Sequence, residues 1–209
     1  MKSVDEFTGD EIAPKFELLK AHITGKLKGV AEYKTALNYV ALTFPNTVEG
    51  KEAENLIKTN IPKLEKINFD LEKPKSWKII YPVQSLTDAS SQVLLTKLTN
   101  FAKERTVQKL TVSTDVYTLS SYFVVLHGIP TEEIANDILT ILKDYKDYKI
   151  ANPASIISTE NYKVVQVKKN YDTYLLPRTI PTEYPTIVEE NPVMDPKKEE
   201  PKNTSKRRE

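Results

Sequence analysis

The chain has 209 residues, 30 of them basic and 29 acidic, and its formal net charge of +1 gives no footprint for a nucleic-acid backbone as partner. It contains no cysteine, which closes disulfide frameworks, thiolate metal sites and cysteine nucleophiles. A hydrophobic content of 39% with 13 prolines allows a core for one or two domains and puts part of the chain outside it.

The first residues, MKSVDEFTGDE, are acidic and polar where a secretory signal needs a basic end and an apolar core. No later stretch reaches the ~20 apolar residues of a membrane span. The expectation is a soluble chain, compatible with the processed end of a longer exported protein.

Residues 1–66 read as helices, roughly Asp10 to Lys26, Val30 to Thr43 and Val48 to Leu64. Gly25 and Gly29 mark the first break and Pro45-Asn46-Thr47 the second. Tyr33, Leu37, Tyr39, Val40 and Phe44 give the second helix an apolar face, and Ala53, Leu56, Ile57 and Ile61 do so for the third. Thr47 is the expected N-cap of that third helix. Residues 67–74, inside a charged connector bracketed by Pro62 and Pro74, read as a linker.

From residue 75 the period changes. Lys75 to Pro82 is a short aromatic and branched strand. Thr87 to Arg105 places Ala89, Val93, Leu94, Leu98, Phe101 and Ala102 on one helical face. Lys109 to Tyr117 alternates Leu110, Val112 and Val116 with polar residues, the pattern of a strand wet on one side. Tyr122 to Leu126 is continuously apolar, hence a central strand, and Gly128 with Pro130 leads into a helix bearing Ile134, Ile138, Ile141, Leu142 and Tyr145. Ala154 to Ser158 and Tyr162 to Lys168 read as two short strands around a hairpin-like turn at Ser158-Thr159-Glu160-Asn161. The expected fold class is α+β. Residues 75–176 then form a ferredoxin-like sandwich, a split βαβ order with one added strand and two helices on one sheet face.

The other sheet face would show Thr111, Ser113, Asp115, Lys163 and Gln166, the composition of a scaffold or docking surface. No aromatic pair forms a stacking platform for RNA, and no glycine-rich phosphate cradle follows a strand. His127, at the end of the central strand, is the best single candidate for chemistry and is read as structural, while His22 sits on a solvated helix. No motif surrounds any serine or carboxylate, so no catalytic, cofactor-binding or metal-binding residue is assigned and no enzyme is expected.

Residues 177–209 hold six prolines and no glycine, the composition of a disordered, extended tail. Ile180, Tyr184, Ile187, Val188 and Val193 recur there as spaced apolar anchors, suited to binding a partner in extended form.

The run GVAEYKTALNYVALTFPNTVEGKEA resembles the second half of a tetratricopeptide repeat, with its glycine turn, apolar helix face and closing proline. It is read as a degenerate terminal repeat. Followed by the strand FVVL and the closing segment YKVVQVKKNYDTYL, it resembles the C-terminal part of the SprE (PorW) family of gliding-motility and type IX secretion lipoproteins of Bacteroidetes. That resemblance implies a non-enzymatic periplasmic scaffold that joins secretion and motility proteins in a multi-subunit complex. It also implies attachment to the outer membrane through a lipid outside this chain. The alternative is a resemblance to the sporulation-related repeat, which binds peptidoglycan through an exposed sheet face. A small-molecule sensor of ferredoxin-like type stands third and would need a pocket.

Overall fold

The computed structural model describes residues 12–69 and 74–176. The chain divides into two units at Leu176 and Pro177, and the described residues all belong to the first. The five anchors from Ile180 to Val193 lie outside them.

Four helices come first: α1 (Ala13–Lys28), α2 (Val30–Thr43), α3 (Val48–Thr59) and α4 (Ile61–Lys66). Pro14 sits in the first turn of α1, where a missing N–H costs nothing. The helix ends at Gly29, whose φ of 96° suits glycine. Gly25 is not part of the break. It lies inside α1, and a Cβ there would come within 2.6 Å of the Tyr33 ring, so its role is to let α2 approach. Thr47 caps α3 as expected, accepting from the Gly50 amide at 3.1 Å. The expected third helix is broken at Asn60, two residues before Pro62, because proline has no amide for the helical ladder. Leu18, Ala21, Leu37, Val40, Ala53 and Ile61 form the helical core. Tyr39 is 52% exposed and does not join it.

The sheet region contains β1 (Trp77–Val83), α5 (Ala89–Glu104), β2 (Thr111–Val116), β3 (Tyr122–Ile129), α6 (Glu132–Asp144), β4 (Ser155–Ser158), α7 (Thr159–Lys168) and α8 (Tyr171–Leu175). The four strands lie in the order β2-β3-β1-β4, every neighbouring pair antiparallel. The molecule is therefore α+β. Asp88 caps α5 and Thr131 caps α6, each through a side-chain oxygen.

One sheet face carries the larger core. Ile79, Tyr81, Val124, Leu126 and Ile129 pack with Leu94, Leu98 and Phe101 of α5 and Ala135, Ile138 and Leu142 of α6. Ala89, Val93 and Tyr145 fall outside this core, Val93 and Tyr145 more than half exposed. Val93 stands about 100° around the helix from Leu94, off the side that Leu94, Leu98 and Phe101 bury, while Ala89 is the first residue of α5 and Tyr145 the C-cap of α6.

The sharpest correction concerns Tyr162 to Lys168, which is helix and not a fifth strand. Ser158 is the N-cap of α7, its side chain accepting from the Asn161 amide, so the supposed hairpin turn is the first helical turn. Tyr162 and Val165, three apart, face the sheet, where they join Ile80, Phe123, Val125, Ile157 and Tyr171 in a second core. The second sheet face is accordingly covered by α7 and α8. Lys163 is an exposed helical residue, not a member of a sheet face.

Candidate functional site

His127 and Gly128 sit at a β-bulge. Trp77 pairs with Ile129 and Ile79 with Leu126, so β3 carries one residue more than β1 across the same interval. Gly128, at φ 87°, is the extra residue, and a Cβ there would stand 2.9 Å from the Lys109 carbonyl oxygen. Without the bulge, strict alternation would send Ile129 to the same face as His127. With it, Ile129 returns to the first core while His127 stays on the second face, opposite Thr111 of β2.

There His127 joins a chain of polar side chains. The Lys78 ammonium nitrogen lies 2.7 Å from Nδ1 of His127, and Nε2 lies 2.7 Å from Ser113 Oγ. Ser113 in turn donates to Asp115 Oδ1 at 2.9 Å. A second arm reaches the same carboxylate. Lys169 donates to Gln166 Oε1 at 3.1 Å, Gln166 donates to the Tyr162 hydroxyl at 2.9 Å, and Tyr162 donates to Asp115 Oδ2.

The proton positions follow from the ends of the chain. A carboxylate only accepts and an ammonium only donates. The one proton of Ser113 is given to Asp115, so Nε2 of His127 carries hydrogen and donates to Ser113 Oγ. Nδ1 is then free to accept from Lys78. Burial, and next the charge of Lys78, hold His127 below its ordinary pKa against the opposing pull of Asp115. Burial likewise lowers Lys78, while Asp115 and Glu160 raise it. Tyr162 is held well above the usual phenol value by burial first and by its bond to Asp115 second.

A nucleophilic serine needs a histidine that takes its proton. Here the imidazole points its N–H at the serine, and the serine hydroxyl is spent on a carboxylate. The same three residue types stand in the reverse polarity, which ties β1, β2, β3 and α7 together and activates no oxygen. Among the described residues no group of three His, Cys, Asp or Glu side chains is placed to hold a metal ion, and no helix is long and apolar enough to cross a membrane.

Of the residues expected on the second face, Ser113, Asp115 and Gln166 do meet, with Gln166 arriving from a helix. Thr111 is exposed beside them. Lys78, Tyr162 and Lys169 were not anticipated. The i, i+4 spacing of Tyr162 and Gln166 and the Ser158-x-x-Asn161 cap were the signals that would have found the helical arm. Beyond this network the second face is aromatic. The Phe123 ring lies 4.6 Å from Tyr117, 5.1 Å from Tyr171 and 6.1 Å from Tyr162 between centroids. Tyr171 donates its amide to the Tyr117 hydroxyl, and Tyr174 bonds the Ile156 carbonyl.

No family model, no curated protein and no solved structure matches the chain.

Proposed function

We propose that the chain is a non-enzymatic adaptor, in which a terminal tetratricopeptide-like repeat leads into a ferredoxin-like sandwich and a proline-rich partner-binding tail. The strand and helix order from β1 to β4, with β1 central between β3 and β4, supports the ferredoxin-like description. The glycine turn at Gly29 and the capped turn at Thr47 support the repeat. On the resemblance of the quoted segments, the adaptor acts in the periplasm. There it joins proteins of the type IX secretion and gliding apparatus, its lipid anchor lying outside this chain.

The observation that carries the adaptor reading is an apolar stripe on α1. Ile12, just before the helix, and Leu19 and Ile23 within it are 44%, 54% and 50% exposed, and their spacing puts them on one side of the helix. The opposite side already packs against α2 and α3 through Leu18 and Ala21. In a stack of helical pairs, such a stripe receives the helix of a neighbouring unit. The covered second sheet face speaks for docking through the helices over glycan binding through the sheet.

Co-purification of the full-length protein from native membranes tests this. The expected yield is secretion and motility proteins, lost with Leu19→Ser plus Ile23→Ser at an unchanged melting temperature. Deleting Ile180 to Glu209, or changing Tyr184 and Ile187 to Ser, should weaken the same assembly, whereas neutralising Lys206, Arg207 and Arg208 should not. Recovery of the same partners in the same amounts with both the stripe variant and the truncation would refute the reading.

A further inference from the structure

A cleft of ≈ 620 Å³ lies where the end of α1, the start of α2, strand β2 and the end of α7 meet. Its volume is that of a small-molecule site. Two ammonium groups line it, Lys26 from α1 and Lys169 from the C-cap of α7. Among the described residues neither makes an ion pair. The one carboxylate of the lining belongs to Asp115, and both its oxygens accept from Ser113 and Tyr162, so it is committed elsewhere.

The fold holds Lys169 in place. Its backbone is left-handed, at φ 54°, and the close turn at Gly29 packs on its side chain, a Cβ at Gly29 lying 3.1 Å from Lys169 Cγ. The ammonium lies 5.0 Å from the centroid of the Tyr117 ring and donates to Gln166. Burial, and then Lys26, lower its pKa to about 8. The groups that face it are Lys26 and His22 from α1, Tyr33 from α2, Asp115 and Tyr117 at β2, and Gln166 from its own helix. Val30, Leu64, Val116 and Val167 make the remaining wall apolar.

Two lysines without an arginine fork favour phosphate, which point charges hold well, over a carboxylate, which arginine matches in pairs. We propose that this cleft binds a small phosphomonoester with an apolar body, its dianionic head between Lys26 and Lys169. The site is independent of the adaptor reading, since it is built from the inner sides of the helical layer and the sheet region.

Phenyl phosphate is the probe, titrated into the full chain by calorimetry and by amide chemical shifts at pH 7. Saturable binding should map to α1, β2 and the end of α7, with inorganic phosphate weaker and phenol silent. Lys169→Asn keeps a residue that tolerates the left-handed backbone, and Lys26→Gln alters an exposed helical position. Each should weaken binding about tenfold or more. Because the bound dianion favours charged Lys169, affinity should fall as pH rises through about 8, with proton uptake on binding in that range. No saturable binding of phenyl phosphate, wild-type affinity in either variant, or an affinity flat from neutral pH to well above that value overturns the proposal.

Discussion

The two faces of the sheet are held by different means. The first face packs branched aliphatic side chains of β1 and β3 against α5 and α6, with Tyr81 and Tyr148 as the tyrosines of its buried core. The second is part aromatic, around Phe123, and part polar, around Asp115. It is closed by α7 and α8, which follow β4 directly. Burial of methyl groups is non-directional and tolerates small shifts. A chain of donors ending on one carboxylate does not, because each member fixes the proton of the next. The first face supplies bulk stability, and the second fixes how the last two helices sit on the sheet.

Phe123→Ala breaks the comparison most forcefully. If the second face is a packed core, this change costs about 3–5 kcal/mol, as large as any truncation on the first face. A wet second face would let the variant melt as the wild type does. Leu126→Ala, three residues along on the opposite face, should cost about 2–5 kcal/mol, and the pair measured together in urea compares the two sides of one strand. Of the helix positions, Ile141 is only partly buried, unlike Val125 at 0% exposure, so Val125→Ala is the more damaging of those two.

The polar half is tested by Asp115→Asn. An amide cannot accept from both arms and adds donors where Ser113 and Tyr162 already donate. The expected loss is about 1.5–3 kcal/mol, with faster amide exchange in α7. Acid gives a milder test. His127 is held below its ordinary 6.5, so the unfolded chain binds this proton at higher pH than the folded one. Stability from this group is fully present above about 6.5 and is lost as pH falls through the folded value. Between pH 8 and pH 5, His127→Gln should therefore show a flatter melting temperature than the wild type.

The first face is legible because α5 and α6 each carry apolar residues at a period of about 3.6 and β3 is one short, continuous apolar run. The second was not, for local reasons. KVVQV is rich in β-branched residues, which favour strands as weak priors, but Ser158 caps a helix there. A sheet already closed on one side also buries more by receiving a cover than by gaining an edge strand. The bulge at Gly128 was visible only as a change of pattern. Its reason, returning Ile129 to the first core, depends on the register with β1. His127 stands out in the sequence as the strand-end residue beside Gly128, and what it does cannot be read without Lys78 and Ser113, which the chain brings from elsewhere.

The smallest expected effect has the opposite sign. Tyr81 is buried at 0% exposure in the first core, and its hydroxyl has no hydrogen-bond partner among the described residues. Removing a buried, unpaired polar atom is neutral to favourable, so Tyr81→Phe should raise stability by up to about 1 kcal/mol. A marked loss in chemical denaturation would mean that this hydroxyl is bonded after all, and that the first face is less purely apolar than described.

The structural role of His127 rests on the direction of the hydrogen bonds through its ring. Nitrogen-15 shifts of its ring, measured at neutral pH on the intact chain, report that direction without any substitution. The expected result is a neutral imidazole protonated at Nε2, with Nδ1 bare toward Lys78, and a ring signal that changes in Asp115→Asn. A ring protonated at Nδ1, with Nε2 bare toward Ser113, would give the serine a base and contradict the structural reading of this site.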